Sequence, residues 1–170
     1  QTVLAASKDL GAPGVDSVFG WGLLDVTKSA MGPSNFAWGD FSVSFTGNSV
    51  WRNPIIGSGG LIKGGSGTLT LAEAGSFTGA TRVDAGGLDV RKGLRSNLSI
   101  ANGATVWGSG MFGGNVSNSG RFYSGASSPA SITRADGKSR MDILHYRAEQ
   151  GFTRPDPVIM PDGQQFCSHT

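Results

Sequence analysis

Between Gly60 and Val90 the chain reads GLIKGGSGTLTLAEAGSFTGATRVDAGGLDV. Short alternations of apolar and polar residues are separated by glycine-rich breaks. Leu69 and Leu71, Leu88 and Val90, and Leu98 and Ile100 are apolar pairs two positions apart, and Leu61, Val83, Val106, Val116 and Phe122 mark further strands. A period of two sends alternate side chains to opposite faces, one buried and one wet. Strands this short, joined by tight Gly, Asn or Ser turns, build a solenoid. The pattern predicts a mainly β fold, a right-handed parallel β-helix over residues 60–125. Leu69, Leu71, Val83, Leu88, Val90, Leu98, Ile100 and Val106 should point inward. At roughly 20 residues per coil and about 4.8 Å between coils, the region supplies only a few coils. Such coils bury their core only against neighbours, so the segment needs partners at both ends.

The flanks read differently. Residues 1–33 open with an apolar run from Thr2 to Ala6, taken as a short strand. A turn follows at Gly11-Ala12-Pro13-Gly14. Leu23, Val26 and Ala30 mark one face of a short helix from Leu23 to Met31, stopped by Gly32-Pro33. This stretch is the short N-terminal α/β remnant of the predicted fold. Residues 34–59 form a junction. In FAWGDFSVSF the apolar phase shifts across Gly39-Asp40, which predicts two strands or one bulged strand. Asn53-Pro54 and Gly57 to Gly60 then make a loop. Residues 60–133 are the repeats, and residues 134–170 an irregular or aberrant tail. The tail holds ten of the 26 charged residues, both histidines and the only cysteine. Met141 to Gln150 suits a short helix, and TRPDPVIMP an extended segment broken by proline.

Composition supports the repetitive reading. Glycine is 28 of 170 residues, and most lie between Gly47 and Gly125. Charged residues are 15%, against about 25% in an ordinary domain. A net charge of +2 argues against a nucleic-acid partner. Cys167 has no second cysteine to pair with. No apolar run approaches the roughly 20 residues that span a bilayer. The chain begins with Gln1, so it reads as a piece of something longer.

Candidate chemistry is thin. Asp142 and His145 are three apart, but a triad needs a nucleophile within reach of its base, and an oxyanion site. No serine stands in such a context. Cys167 and His169 with His145 fall short of the four ligands of structural zinc. Gly108-Ser109-Gly110-Met111-Phe112-Gly113 matches G-x-G-x-x-G, yet strand-like residues follow where a dinucleotide site needs a helix. Trp21, Trp38, Trp51 and Trp107, with Phe36, Phe41 and Phe45, could form a carbohydrate platform. They read better as packing where a solenoid meets a neighbouring domain. Asn97-Leu98-Ser99 fits a glycosylation sequon but reads as part of a strand. The expectation is no catalytic, cofactor-binding or metal-binding residue, no cofactor and no evident small-molecule ligand.

Two motifs carry a family resemblance. Gly11-Ala12-Pro13-Gly14-Val15-Asp16, then Phe19-Gly20-Trp21-Gly22-Leu23-Leu24-Asp25, Lys28 and Ala30, resemble the end of a subtilisin-like protease domain. Gly60-Leu61, Lys63, Gly65, Gly67-Thr68-Leu69-Thr70-Leu71, Thr78-Gly79-Ala80-Thr81, Val83, Ala85-Gly86, Leu88 and Val90 resemble the passenger-associated repeat of autotransporters. Both occur in this order in the subtilisin-like serine protease autotransporters of Gram-negative bacteria. The chain has Ser76 and Phe77 where the family repeat usually has Asn and Tyr. The resemblance implies a passenger fragment that serves as a structural stalk and supports secretion and folding, at the cell surface or secreted. It implies as partners the rest of the passenger and its outer-membrane barrel. The family's catalytic residues lie upstream of Gln1, so the chain is expected not to be an enzyme by itself. A β-helical surface adhesin fragment is the alternative.

Overall fold

The computed structural model describes residues 2–12, 14–124 and 131–134. Two short helices, α1 (Thr2–Ala5) and α2 (Val26–Ala30), precede a long run of strands. These are β1 (Phe41–Ser44), β2 (Ser49–Trp51), β3 (Leu61–Gly64), β4 (Thr68–Leu71), β5 (Thr81–Val83), β6 (Gly87–Val90), β7 (Gly93–Leu94), β8 (Leu98–Ile100), β9 (Thr105–Gly108), β10 (Met111–Phe112), β11 (Asn115–Asn118), β12 (Arg121–Ser124) and β13 (Ser131–Arg134).

Every paired strand runs parallel to its neighbour. One sheet has the order β1-β3-β5-β8-β11-β13 and a second the order β12-β9-β6-β4-β2. The third side is a narrow ladder. Ile55 bridges Gly75, Gly75 bridges Leu94, and β7 pairs with β10. Each coil therefore visits three faces, and the predicted parallel β-solenoid is the observed fold. The coil length is uneven. Phe41 lies beside Leu61, 20 positions on, whereas Val106 lies beside Phe122, 16 positions on. Shorter turns absorb the difference.

The core is a set of stacked columns. Phe41, Leu61, Thr81, Leu98 and Val116 share one register position of the first sheet. Leu69, Leu88, Val106 and Phe122 share one of the second. All eight predicted inward residues are 2% exposed or less. Full burial of each such side chain is worth roughly 1.5–3 kcal/mol. The third side adds Ile55, Phe77, Leu94 and Phe112, all buried. These escaped the sequence reading because single ladder residues leave no alternation to read.

Three expectations are corrected. Residues Thr2–Ala5 form a helical turn rather than a strand. Buried Ala5 turns its carbonyl to the amides of Ser34 and Asn35, at 3.0 and 2.9 Å. The second helix starts at Val26, not Leu23. Asp25 is its N-cap, accepting from the Lys28 amide at 2.8 Å, and such a cap fixes where a helix begins. Leu23 instead pairs with Lys8 in an antiparallel bridge. The anticipated apolar face is not buried: Leu23 is 60% and Val26 70% exposed. In FAWGDFSVSF only Phe41–Ser44 is a strand. With β2 it makes a full coil, because Phe41 and Trp51 pair in register with Leu61 and Leu71.

Candidate functional site

Among the described residues no group of His, Cys, Asp and Glu could hold a metal ion. The polar residues inside the solenoid are few, and their partners show what they do. Lys63 occupies an inward position of β3, beside Val43 and Val83 in the neighbouring coils, and is fully buried. Its ammonium donates to the carbonyls of Gly64 at 2.7 Å, Gly65 at 3.1 Å and Ala85 at 3.3 Å. It also lies 4.8 Å from the centre of the Phe45 ring. Three donors meet three acceptors, so the group is satisfied without a carboxylate. Burial pushes its pKa below the ordinary lysine value, because a low-dielectric interior disfavours the charged form. Gly64 and Gly65 belong to Lys63's own coil and Ala85 to the next, so the side chain fastens two successive corners. Nearby, the Thr81 and Ser96 hydroxyls satisfy one another at 2.7 Å.

Asp89, on the outer side of β6, is 9% exposed. It accepts from Arg91 at 3.0 Å and from Thr70 at 3.4 Å. Trp107 follows Asp89 in register and lays the end of its indole over Gly87. A Cβ on Gly87 would stand 2.6 Å from Cη2 of that ring. An aromatic covering a bare strand glycine of the next strand is a packing device.

The other aromatics divide. Phe36, Phe41 and Trp51 are buried. Phe41 stacks on Phe36 at 5.0 Å and meets Trp51 edge-on at 5.6 Å. Phe45 packs partly buried against this core. Trp21 and Trp38 pair with each other at 4.4 Å and remain partly exposed. The seven form no single platform. Gly108 to Gly113 lead from β9 into β10 rather than into a helix, so no dinucleotide cradle forms there. Asn97 and Ser99 are exposed and flank buried Leu98 at β8, and the Asn97 side chain accepts from the Asn115 amide at 3.0 Å. Asp142, His145, Cys167 and His169, with the proposed helix at Met141 to Gln150, lie outside the described residues.

In the N-terminal segment Asp16 Oδ1 accepts from the amides of Val18 and Phe19 at 2.8 and 2.7 Å. These bonds, that of Phe19 first, hold its pKa below the ordinary aspartate value. They shape a tight loop closed by an Asp16–Gly20 bridge. The segment that contains it exposes many apolar side chains. Eleven of the fourteen exposed large hydrophobic residues among those described fall between Val3 and Trp38.

A family profile, passenger-associated-transport-repeat, matches residues 61–90, which span β3 to β6. The autotransporter lipoprotein NalP of Neisseria meningitidis is 39% identical over 127 residues, covering 72% of this chain and 12% of NalP. An extracellular serine protease of Serratia marcescens is 29% identical over 148 residues, covering 65% of this chain and 14% of the protease. Serotype-specific antigen 1 of Mannheimia haemolytica is 37% identical over 71 residues, 42% of this chain and 8% of the antigen. The chain thus spans only a small part of the length of these relatives. Repeat and homology together bear out the resemblance to serine protease autotransporters, and the chain carries a passenger-associated repeat folded as a β-solenoid.

Proposed function

We propose that this chain is a structural stalk within an autotransporter serine protease passenger and supports the passenger's folding and secretion. The carrying observation is that the matched repeat, residues 61–90, coincides with coils whose interior is apolar or internally satisfied. Nothing in those coils presents a nucleophile, a base and an oxyanion donor together. Catalysis in this reading belongs to residues before Gln1, and the chain alone is not a peptidase. Residues 1–33 are the end of a subtilisin-like protease domain, 34–59 a junction, 60–133 the repeats and 134–170 a tail. The exposure of eleven large apolar residues between Val3 and Trp38 supports that division, because so many left to solvent in one short segment mark a surface built to be covered. The preceding α/β domain is its occupant. The working location is the cell surface or the secreted medium of a Gram-negative bacterium, with an outer-membrane barrel as partner.

The test is Leu88→Asp in the full-length passenger. It buries an unpaired charge in the repeat. The expected result is less folded, protease-resistant passenger at the surface with the membrane barrel inserted as before. A normal amount of folded passenger that has lost only its peptidase activity would contradict the stalk reading.

A further inference from the structure

The corner between β8 and β9 carries the one Asn-Gly pair of the chain, Asn102-Gly103. The amide of Ala104 donates to the Ala101 carbonyl at 3.1 Å, which closes a four-residue turn with Asn102 and Gly103 at its tip. Gly103 has φ +83°, the value that the third position of a type II turn requires. Both tip residues are exposed, and no heavy atom lies within 4 Å of where a Cβ on Gly103 would stand. The peptide between them gives its N–H and its carbonyl to no other described residue. One peptide plane can therefore reorient without breaking a ladder bond. The corner on either side stays tied, by Ala101 to Val83 and by Thr105 to Gly86, both at 2.9 Å.

We propose that Asn102 is a site of spontaneous covalent self-modification. The backbone nitrogen of Gly103 attacks Cγ of Asn102. An N–Cγ bond forms, the Cγ–Nδ2 bond breaks, and ammonia leaves carrying the amide proton. Water then adds to either carbonyl of the resulting five-membered imide and opens it to aspartate or isoaspartate. The only co-reactant is water. Glycine matters because it offers no side chain to obstruct the attack. The product places a new negative charge at the corner, and the isoaspartate form adds a methylene to the main chain there.

The other asparagines are held. Asn48, Asn97 and Asn118 accept amide hydrogen bonds with their side chains, and Asn53 donates to the carbonyls of Lys28 and Gly32. Asn35 and Asn115 are followed by Phe36 and Val116, whose bulk obstructs the same attack.

The folded chain is aged at mildly alkaline pH, digested, and the peptide from Ser96 to Arg121 fragmented by mass spectrometry. Asn102 is expected to gain about one mass unit before any other asparagine, with part of the product a substrate for isoaspartyl methyltransferase. Asn102→Gln keeps the glycine turn and loses the mass gain at this position. An unchanged Asn102 in the folded chain, while a synthetic peptide of the same sequence converts, would overturn the proposal. So would earlier conversion at another asparagine.

Discussion

The ammonium of Lys63 stands 3.3 Å from the carbonyl oxygen of Ala85, one coil further along the solenoid. A charge in the centre of an apolar stack costs free energy unless every proton finds an acceptor. Here each does. The same contact adds a side-chain tie between two corners that backbone bonds from Asp84 to Lys63 and from Gly87 to Gly67 already flank.

Lys63→Ala should lower stability by about 2–5 kcal/mol, since it removes packing, leaves a cavity and takes the donor from three part-buried carbonyls. Urea unfolding followed by circular dichroism would measure it. A loss well under that range would mean that water replaces the ammonium without cost.

The depressed pKa of Lys63 has a signed consequence. Its folded-state value lies below its unfolded-state value, so as pH rises the native state gives up this proton first. The unfolded state then holds more protons, and stability grows with pH. The gain is complete once pH passes the ordinary lysine value. Measured against Lys63→Met, the wild-type chain should gain relative stability on going from neutral pH into that alkaline window. A flat difference would place the ammonium in a well-hydrated site, and a falling one would mean that its three carbonyl acceptors outweigh the burial.

Gly87 and Trp107 should be coupled. The φ of Gly87 is not positive, so what the glycine provides is room, for the indole and for the Thr68 hydroxyl, which lies 2.7 Å from where a Cβ would stand. Gly87→Val should destabilise by about 1–3 kcal/mol through overpacking. In the Trp107→Ala background the same change should cost distinctly less, giving a double-mutant coupling of roughly 0.5–3 kcal/mol. Additive losses would show that the ring does not determine the residue beneath it.

The legible part of the fold was the part with alternation. Leu69 and Leu71, or Leu98 and Ile100, announce their strands because two-sheet packing forces period two. The coil from Phe41 to Trp51 was hidden: Gly39 and Asp40 shift the phase, and Asn48 separates two very short runs. Phe77, Leu94 and Phe112 were hidden for another reason, since a one- or two-residue ladder has no period. The start of α2 was misplaced because Leu23 and Leu24 continue the apolar spacing, whereas Asp25 caps the helix after them. Lys63 stood out only through the family motif. Nothing in its local pattern says that a lysine at an inward position finds three carbonyls.

Local stability should differ between the two halves of the described structure. Strands β3 to β6, β8 and β9 pair with a strand on both sides and enclose the core, while residues 2–38 expose most of their large apolar groups. Amide exchange by mass spectrometry should therefore show residues 61–108 protected longer than residues 2–33, because local opening follows sparse buried contacts. Equal or greater protection in residues 2–33 would mean that the N-terminal segment, not the solenoid, anchors the chain.

The proposed role is that of a structural stalk with no peptidase activity of its own. The direct measurement is hydrolysis of a broad fluorogenic peptide pool by the purified chain, with a serine-reactive phosphonate probe run in parallel. The account predicts no turnover above buffer and no labelled serine, because a triad acts only when nucleophile, base and oxyanion donors converge. Peptide turnover that disappears on reaction with the probe, together with a labelled serine in this chain, would contradict it.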